Sequence, residues 1–414
     1  MNPTADDLVA IYRDAVEKCA PERLVSELLR SGALSLPPGP LNVVALGKCA
    51  AGLYAGVAGF ADIERAIVAV PRGYPQPSPG ERLTTLVGSH PQIDEASFAA
   101  GAAVREFVVS SRRPVVFLIS GGASASVEWP LAPWFSGDDL ILANRLVVKS
   151  ALPIGAINTV RRHLSAIKGG RLAAVAPAGS LTLIYSDVAS GRIADVGSGP
   201  TLPDPSTNKE AAGLLRQVGG DSIAGIAFTL ENPSLPETPK ALSHPAFLVA
   251  DNGTLAARAA SSAEERGYQA RRIEAQIEGE VEAVAVELSD QARALVRGEL
   301  LVAGGEPIVA VRGEGRGGRC CELAARFALA MAGDPDADGV FALFAGSDGV
   351  DGNSQVAGFV VSPGRLRTSA LTAGEIRRLL GRSDSYSIAA TAGEPIMIPP
   401  TGNNLRDLFL LARG

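Results

Sequence analysis

Three arginines set among glycines are the side chains of this chain best suited to chemistry on an anion. Residues 309–331 read VAVRGEGRGGRCCELAARFALAM, between a short apolar run and a helical pattern. Arg312, Arg316 and Arg319 can grip an anion, and the glycines let a ligand approach the backbone closely. Gly313, Gly315 and Gly318 also satisfy GxGxxG, formally a dinucleotide fingerprint. Glu314 and Arg316 inside the loop favour an anion loop at a helix N-terminus instead. A solvated glycine turn is the remaining alternative.

The same grammar of an apolar run ending in glycine and charge recurs along the chain. Gly47-Lys48 follows LNVVAL; Cys49 and the missing upstream glycine rule out a P-loop. A lysine at a helix start opposes the helix dipole, so an anionic ligand would explain it. Ser120, Gly121, Gly122 and Ser124 open the stretch SGGASAS, which fails GxSxG and suits phosphate or carboxylate better than a nucleophilic serine. Glu306 follows Gly304-Gly305. Asp187, Asp348 and Asp351 lie at or just past strand ends, where acids either make turns or hold magnesium and orient a hydroxyl for phosphoryl transfer. His163 reads as a packed helix residue, and His90 and His244 carry no signal.

Positioning these groups at several strand ends requires one or two α/β sheets with a polar carboxyl edge. The 414 residues suggest two or three domains, and 46% hydrophobic content with 20% charge is globular. A net charge of −6 argues against nonspecific nucleic-acid binding. Four cysteines and three histidines show no zinc spacing. The N-terminus reads as an amphipathic helix rather than a signal peptide, and no apolar run approaches the roughly 18 residues of a membrane span. A cytoplasmic protein is expected.

Strands are expected at 41–46, 67–70, 83–87, 115–119 and 181–185, then at 247–250, 300–303, 308–311 and 340–344. Helices are expected at 94–109, 138–152, 254–266 and 279–297. Another is expected at 158–172, with Asn158 as its N-cap. Pro233 to Pro245 is the best linker candidate.

The segments ALGKCAAG, LISGGASA, NTVRRHLSAIKGGRLA, GSGPTLPDPST, VRGEGRGGR, AGSDGVDG and PTGNNLRDL, in this order, resemble the glycerate 2-kinase family with a MOFRL C-terminal domain. Some members of that family carry the label hydroxypyruvate reductase. The resemblance runs from about Leu41 to Leu408. It implies ATP- and magnesium-dependent phosphorylation of D-glycerate at its 2-hydroxyl. It also implies a Rossmann-like domain (residues 1–240 plus 395–414) and a smaller MOFRL-type α/β domain (241–394), with the active-site cleft between them. The implied partners are a small hydroxy acid and a nucleotide, with no nucleic acid and no membrane; a homodimer is compatible. Lys48 and Arg319 take the places of the family's lysine and arginine, and Asp187 joins them as catalytic. Gly47, Ser120, Gly121, Gly122, Ser124, Glu306, Arg312, Arg316, Asp348 and Asn404 are the expected binding residues. Asp187 and Asp348 are the expected magnesium ligands.

The sequence departs from the family pattern after Asp187. Where the family has Pro-Gly-Asp-Asp, this chain has Ala189-Ser190-Gly191-Arg192. Two acids are lost and an arginine gained, a change of about three charge units. The expectation is weak activity on D-glycerate and a preference for a more anionic hydroxy acid. An NAD(P)-dependent reductase and a non-catalytic acid-binding relative are the alternatives.

Overall fold

The computed structural model describes residues 4–189 and 191–414; Ser190, in the loop after Asp187, lies outside the described residues. Six strands form the first sheet: β1 (Leu41–Leu46), β2 (Ile63–Pro71), β3 (Leu83–Gly88), β4 (Val115–Ser120), β5 (Leu181–Tyr185) and β6 (Ala246–Ala250). Their order is β3-β2-β1-β4-β5-β6. The ladders β1·β2, β1·β4, β2·β3 and β4·β5 are parallel. β1, β4 and β5 are buried along their whole length, which is why they read as unbroken apolar runs instead of alternating ones.

Seven strands form the second sheet: β7 (Gln269–Arg272), β8 (Ile277–Glu280), β9 (Glu299–Ile308), β10 (Val340–Gly346), β11 (Gly358–Val361), β12 (Gly393–Ile396) and β13 (Asp407–Arg413). The order is β12-β11-β10-β13-β9-β7, with β8 also on β9. β13 is antiparallel to both β10 and β9.

The chain divides into two compact units: Pro21–Val249, and residues up to Ala20 together with Ala250–Gly414. Both chain ends therefore differ from the expectation that residues 1–240 and 395–414 share a domain. The tail does not return to the first sheet. Its apolar run DLFLLAR finds unsatisfied strand edges on β9 and β10 and fills the gap between them. The N-terminal helix Ala5–Lys18 belongs to the same unit. It buries Leu8, Ile11, Tyr12, Ala15 and Val16, and the Tyr12 hydroxyl donates to the Gly346 carbonyl at 2.7 Å.

Two further expectations change. Residues 300–303 and 308–311 are not separate strands around a glycine turn; β9 runs through Gly304-Gly305. Partners on both flanks hold it extended, with Gly305 opposite both Asp407 and Ile277. Asn158 is not an N-cap but lies inside the helix Ile154–Leu164, which starts after Pro153. That helix stops at Ser165, whose hydroxyl donates to Glu128 and accepts from the Ile167 and Lys168 amides. Only the short helix Arg171–Ala174 follows.

Candidate functional site

In the unit Pro21–Val249 the chain leaves β1 and β4 toward opposite ends of the sheet. Their shared carboxyl edge is thus the switch point where doubly wound sheets bind ligands. Gly47 makes the turn out of β1 at φ +106°, and a Cβ there would sit 2.5 Å from the Ser120 carbonyl oxygen. That close approach sets the next residues. The Lys48 amide donates to the Gly121 carbonyl at 2.8 Å. The Ser120 hydroxyl donates to Leu46 O at 3.0 Å and accepts from the Cys49 amide at 3.1 Å. Ser120 is fully buried and spends its hydroxyl stitching β1 to β4, so it builds the site without facing a ligand.

The Lys48 stem lies over Gly122, and its ammonium stands 5.6 Å from the Tyr74 ring centroid. Among the described residues no carboxylate pairs with it. His90, after β3, is held below the ordinary imidazole value by desolvation and then by the positive charges of Lys48 and Arg161. Arg161 is itself pushed down by burial, partly offset by Glu128. Three basic groups therefore gather at this edge, and nothing in the spacing of His90 and Arg161 connects them to Lys48. Ser124 reaches the Ser198 hydroxyl at 2.7 Å. Asp187 stands two residues beyond β5, half-buried.

Behind this edge lies a polar network. Arg162 reaches Asp195 at 2.7 Å and Asp204 at 3.3 Å. His163 is fully buried between Asn208 (2.6 Å) and Ser206 (3.2 Å), the packed role expected of it. Arg192 is not an unanswered charge: it pairs with Asp195 through Nε at 2.8 Å and Nη2 at 2.6 Å. The expectation that Arg192 offers its charge to a more anionic substrate loses its footing there.

The second unit has its own polar edge. Because β13 is antiparallel, its first residue, Asp407, falls opposite Gly346 of β10 and Gly305 of β9. Arg319, first residue of the helix Arg319–Met331, meets Asp407 through Nε and Nη2, both at 3.2 Å, and Glu306 through Nη1 at 2.5 Å. Arg406 holds the other Glu306 oxygen at 3.1 Å. Burial raises the Asp407 carboxyl to about 6, with Arg319 only partly offsetting it. Burial also works to lower Arg319, but Asp407 and Glu306 outweigh it and hold the guanidinium well above its ordinary value. Asp348 accepts from the Val350 amide at 3.0 Å, the turn-making role open to it from the start. Asn404 is half-buried; its neighbour Asn403 is buried and donates to Val16 O at 2.8 Å.

The glycine-rich loop differs from both functional readings. The helix N-terminus that was to take an anion is occupied by Asp351, which accepts from the Cys320 amide at 3.0 Å and the Cys321 amide at 2.8 Å. Arg316 lies 3.7 Å over the Tyr386 ring and donates to Ser354 O. Arg312 is exposed, its amide donating to Ser383 Oγ at 2.8 Å. A Cβ at Gly315 would come within 2.5 Å of Arg382 O and Asp384 N. The glycines therefore admit the protein's own neighbouring atoms, which accounts for their spacing without a dinucleotide.

Among the described residues no three His, Cys, Asp or Glu side chains gather to hold a metal. Asp187 and Asp348 belong to different units and do not form a resident magnesium site within either. No helix among the described residues is long and apolar enough to cross a membrane.

Sheet order defines a doubly wound α/β protein whose switch-point edge carries Lys48, joined to a second, mixed sheet. A profile described as a domain of unknown function (DUF4147) matches residues 7–225, and one described as the MOFRL family matches residues 299–407. The chain belongs to the glycerate 2-kinase family that carries this pair of domains. It is 32% identical to a D-glycerate 2-kinase of Thermotoga maritima, over 97% of this chain and 96% of that protein. A putative hydroxypyruvate reductase of Agrobacterium vitis is 33% identical over 91% of this chain and 88% of that protein. Among solved structures, a Thermotoga maritima glycerate kinase superposes with a TM-score of 0.86 at 30% identity, covering 99% of each chain.

Proposed function

We propose that this chain is a glycerate 2-kinase, transferring the γ-phosphoryl group of ATP to the 2-hydroxyl of D-glycerate. The observation that carries the reading is Lys48: a cation at the switch point, without a carboxylate partner among the described residues, beside His90 and Arg161. Such a place suits phosphoryl or carboxylate oxygens. The 2-hydroxyl oxygen forms the new bond to phosphorus, the bond from the γ-phosphorus to the bridging oxygen breaks, and ADP leaves. Asp187 orients the hydroxyl and takes its proton. Arg319, held in place by Asp407, neutralises charge on the transferred group or anchors the carboxylate. Positioning and charge supply most of the catalysis in such transfers. Magnesium enters on the nucleotide's phosphates, as part of the substrate. A cytoplasmic location belongs to the same reading.

The packed glycine loop gives the reductase reading no support, and the pairing of Arg192 with Asp195 answers the gained charge that favoured a non-catalytic relative, though not the two lost acids. Incubation with ATP and a panel of hydroxy acids tests the proposal. ADP release with D-glycerate supports it; NADH oxidation with hydroxypyruvate and no ADP release overturns it.

A further inference from the structure

Ser198 has a backbone φ of 61°, rare for a residue other than glycine, and its side chain is fully buried. Its carbonyl accepts from the Gly169 amide at 3.2 Å and from Arg162 Nε at 3.3 Å, which holds the residue in this costly conformation. The result is a short polar chain: Ser124 Oγ to Ser198 Oγ at 2.7 Å, Ser198 Oγ to Asn158 Oδ1 at 2.9 Å, and Asn158 Nδ2 to Asp195 Oδ1 at 3.1 Å.

Hydrogen-bond chemistry fixes the direction of this chain. Asp195, paired with Arg162 and Arg192, only accepts, so the Asn158 amide nitrogen must face it. The Asn158 oxygen then faces Ser198 and can only accept, which uses the single Ser198 proton. At the remaining contact the proton must come from Ser124. Ser124, half-buried beside the switch-point loop, therefore presents lone pairs and no proton to a ligand. It is suited to accept from a hydroxyl and unsuited to hold an anionic oxygen, the role its sequence context gave it. The chain also runs through the Asn158 amide, which does not pass a proton on. Ser124 is thus no base for the hydroxyl that is phosphorylated, since that hydroxyl must lose its proton.

We propose that Ser124 reads a substrate hydroxyl that keeps its proton, with Ser198 and Asn158 as positioning residues that set its polarity. Resting on the kinase reading above, this is the 3-hydroxyl of D-glycerate.

The test is calorimetric titration of wild type, Ser124→Ala, Ser124→Thr and Ser198→Ala with D-glycerate and with D-lactate, the same acid without the 3-hydroxyl. ADP release with ATP is measured in parallel. Wild type should bind D-glycerate at least about tenfold more tightly than D-lactate, since a site built for a hydroxyl leaves an acceptor unpaired with the deoxy acid. Ser124→Ala should bring the two within about threefold by weakening D-glycerate alone. Ser124→Thr should restore the preference. Ser198→Ala, which frees the Ser124 proton, should narrow it. Absence of a preference in wild type, or its full retention in Ser124→Ala, overturns the proposal. A wild-type preference without ADP release from any acid would sink the kinase reading and leave the hydroxyl reading standing.

Discussion

Arg319 and Asp407 are joined by two parallel bonds, Nε to Oδ2 and Nη2 to Oδ1, each 3.2 Å long. The pair ties the first turn of the helix after the glycine loop to the first residue of the final strand. Asp407 is buried and Arg319 keeps a partly exposed guanidinium, so the acid aims the base.

The Asp407 carboxyl, raised to about 6 by burial, gives a pH signature. Between about pH 4, its ordinary range, and pH 6 the folded chain holds a proton at Asp407 that the unfolded chain has released. The stability due to this proton is present in full below about pH 4 and is lost as pH rises through 6. Relative to Asp407→Asn, wild type should lose up to ~3 kcal/mol over that window. Denaturant midpoints of the two proteins at pH 4 to 7 check this; parallel curves would show that Asp407 titrates normally.

Asp351 caps the helix Arg319–Met331 with both carboxylate oxygens. Asp351→Ala should cost about 2 kcal/mol, by leaving two buried amides without an acceptor. Asp351→Asn, which keeps one acceptor, should cost less. Thermal unfolding would show the ranking, and equal stability of all three proteins would mean the cap contributes nothing.

Gly315→Ala separates the structural reading of the loop from the dinucleotide reading. The added methyl meets Arg382 and Asp384 backbone atoms, so the expected result is a loss of about 1–3 kcal/mol. Wild type should show no NADH binding for the variant to lose. NADH binding that disappears in a variant of unchanged stability would restore the dinucleotide reading.

Much of the first unit was legible because its strands are buried on both faces and read as unbroken apolar runs: β1 and β5 have the expected bounds of 41–46 and 181–185. The second unit was legible only in part. β11 and β12 are four residues each, too short to carry a period, and they exist through pairing with β10 and with each other. Lys48 stood out because a cation at a helix start conflicts with the dipole. Asp407 did not, since an acid opening an apolar tail gains its meaning only from the antiparallel register beside Gly346 and Gly305. The partner of Arg192 was hidden for a related reason. It lies three residues on, in a loop whose shape no periodicity predicts.

The proposed phosphoryl transfer is centred on the Lys48 edge. The most direct measurement incubates wild type and Lys48→Met with ATP and D-glycerate and follows ADP release, with the product identified by phosphorus NMR. Wild type should yield 2-phosphoglycerate. Lys48→Met should fold normally and turn over at least about a hundredfold more slowly, the scale of losing one preorganised charge donor. No phosphorylated glycerate from wild type would rule out the kinase reading, and undiminished turnover by folded Lys48→Met would remove Lys48 from the site.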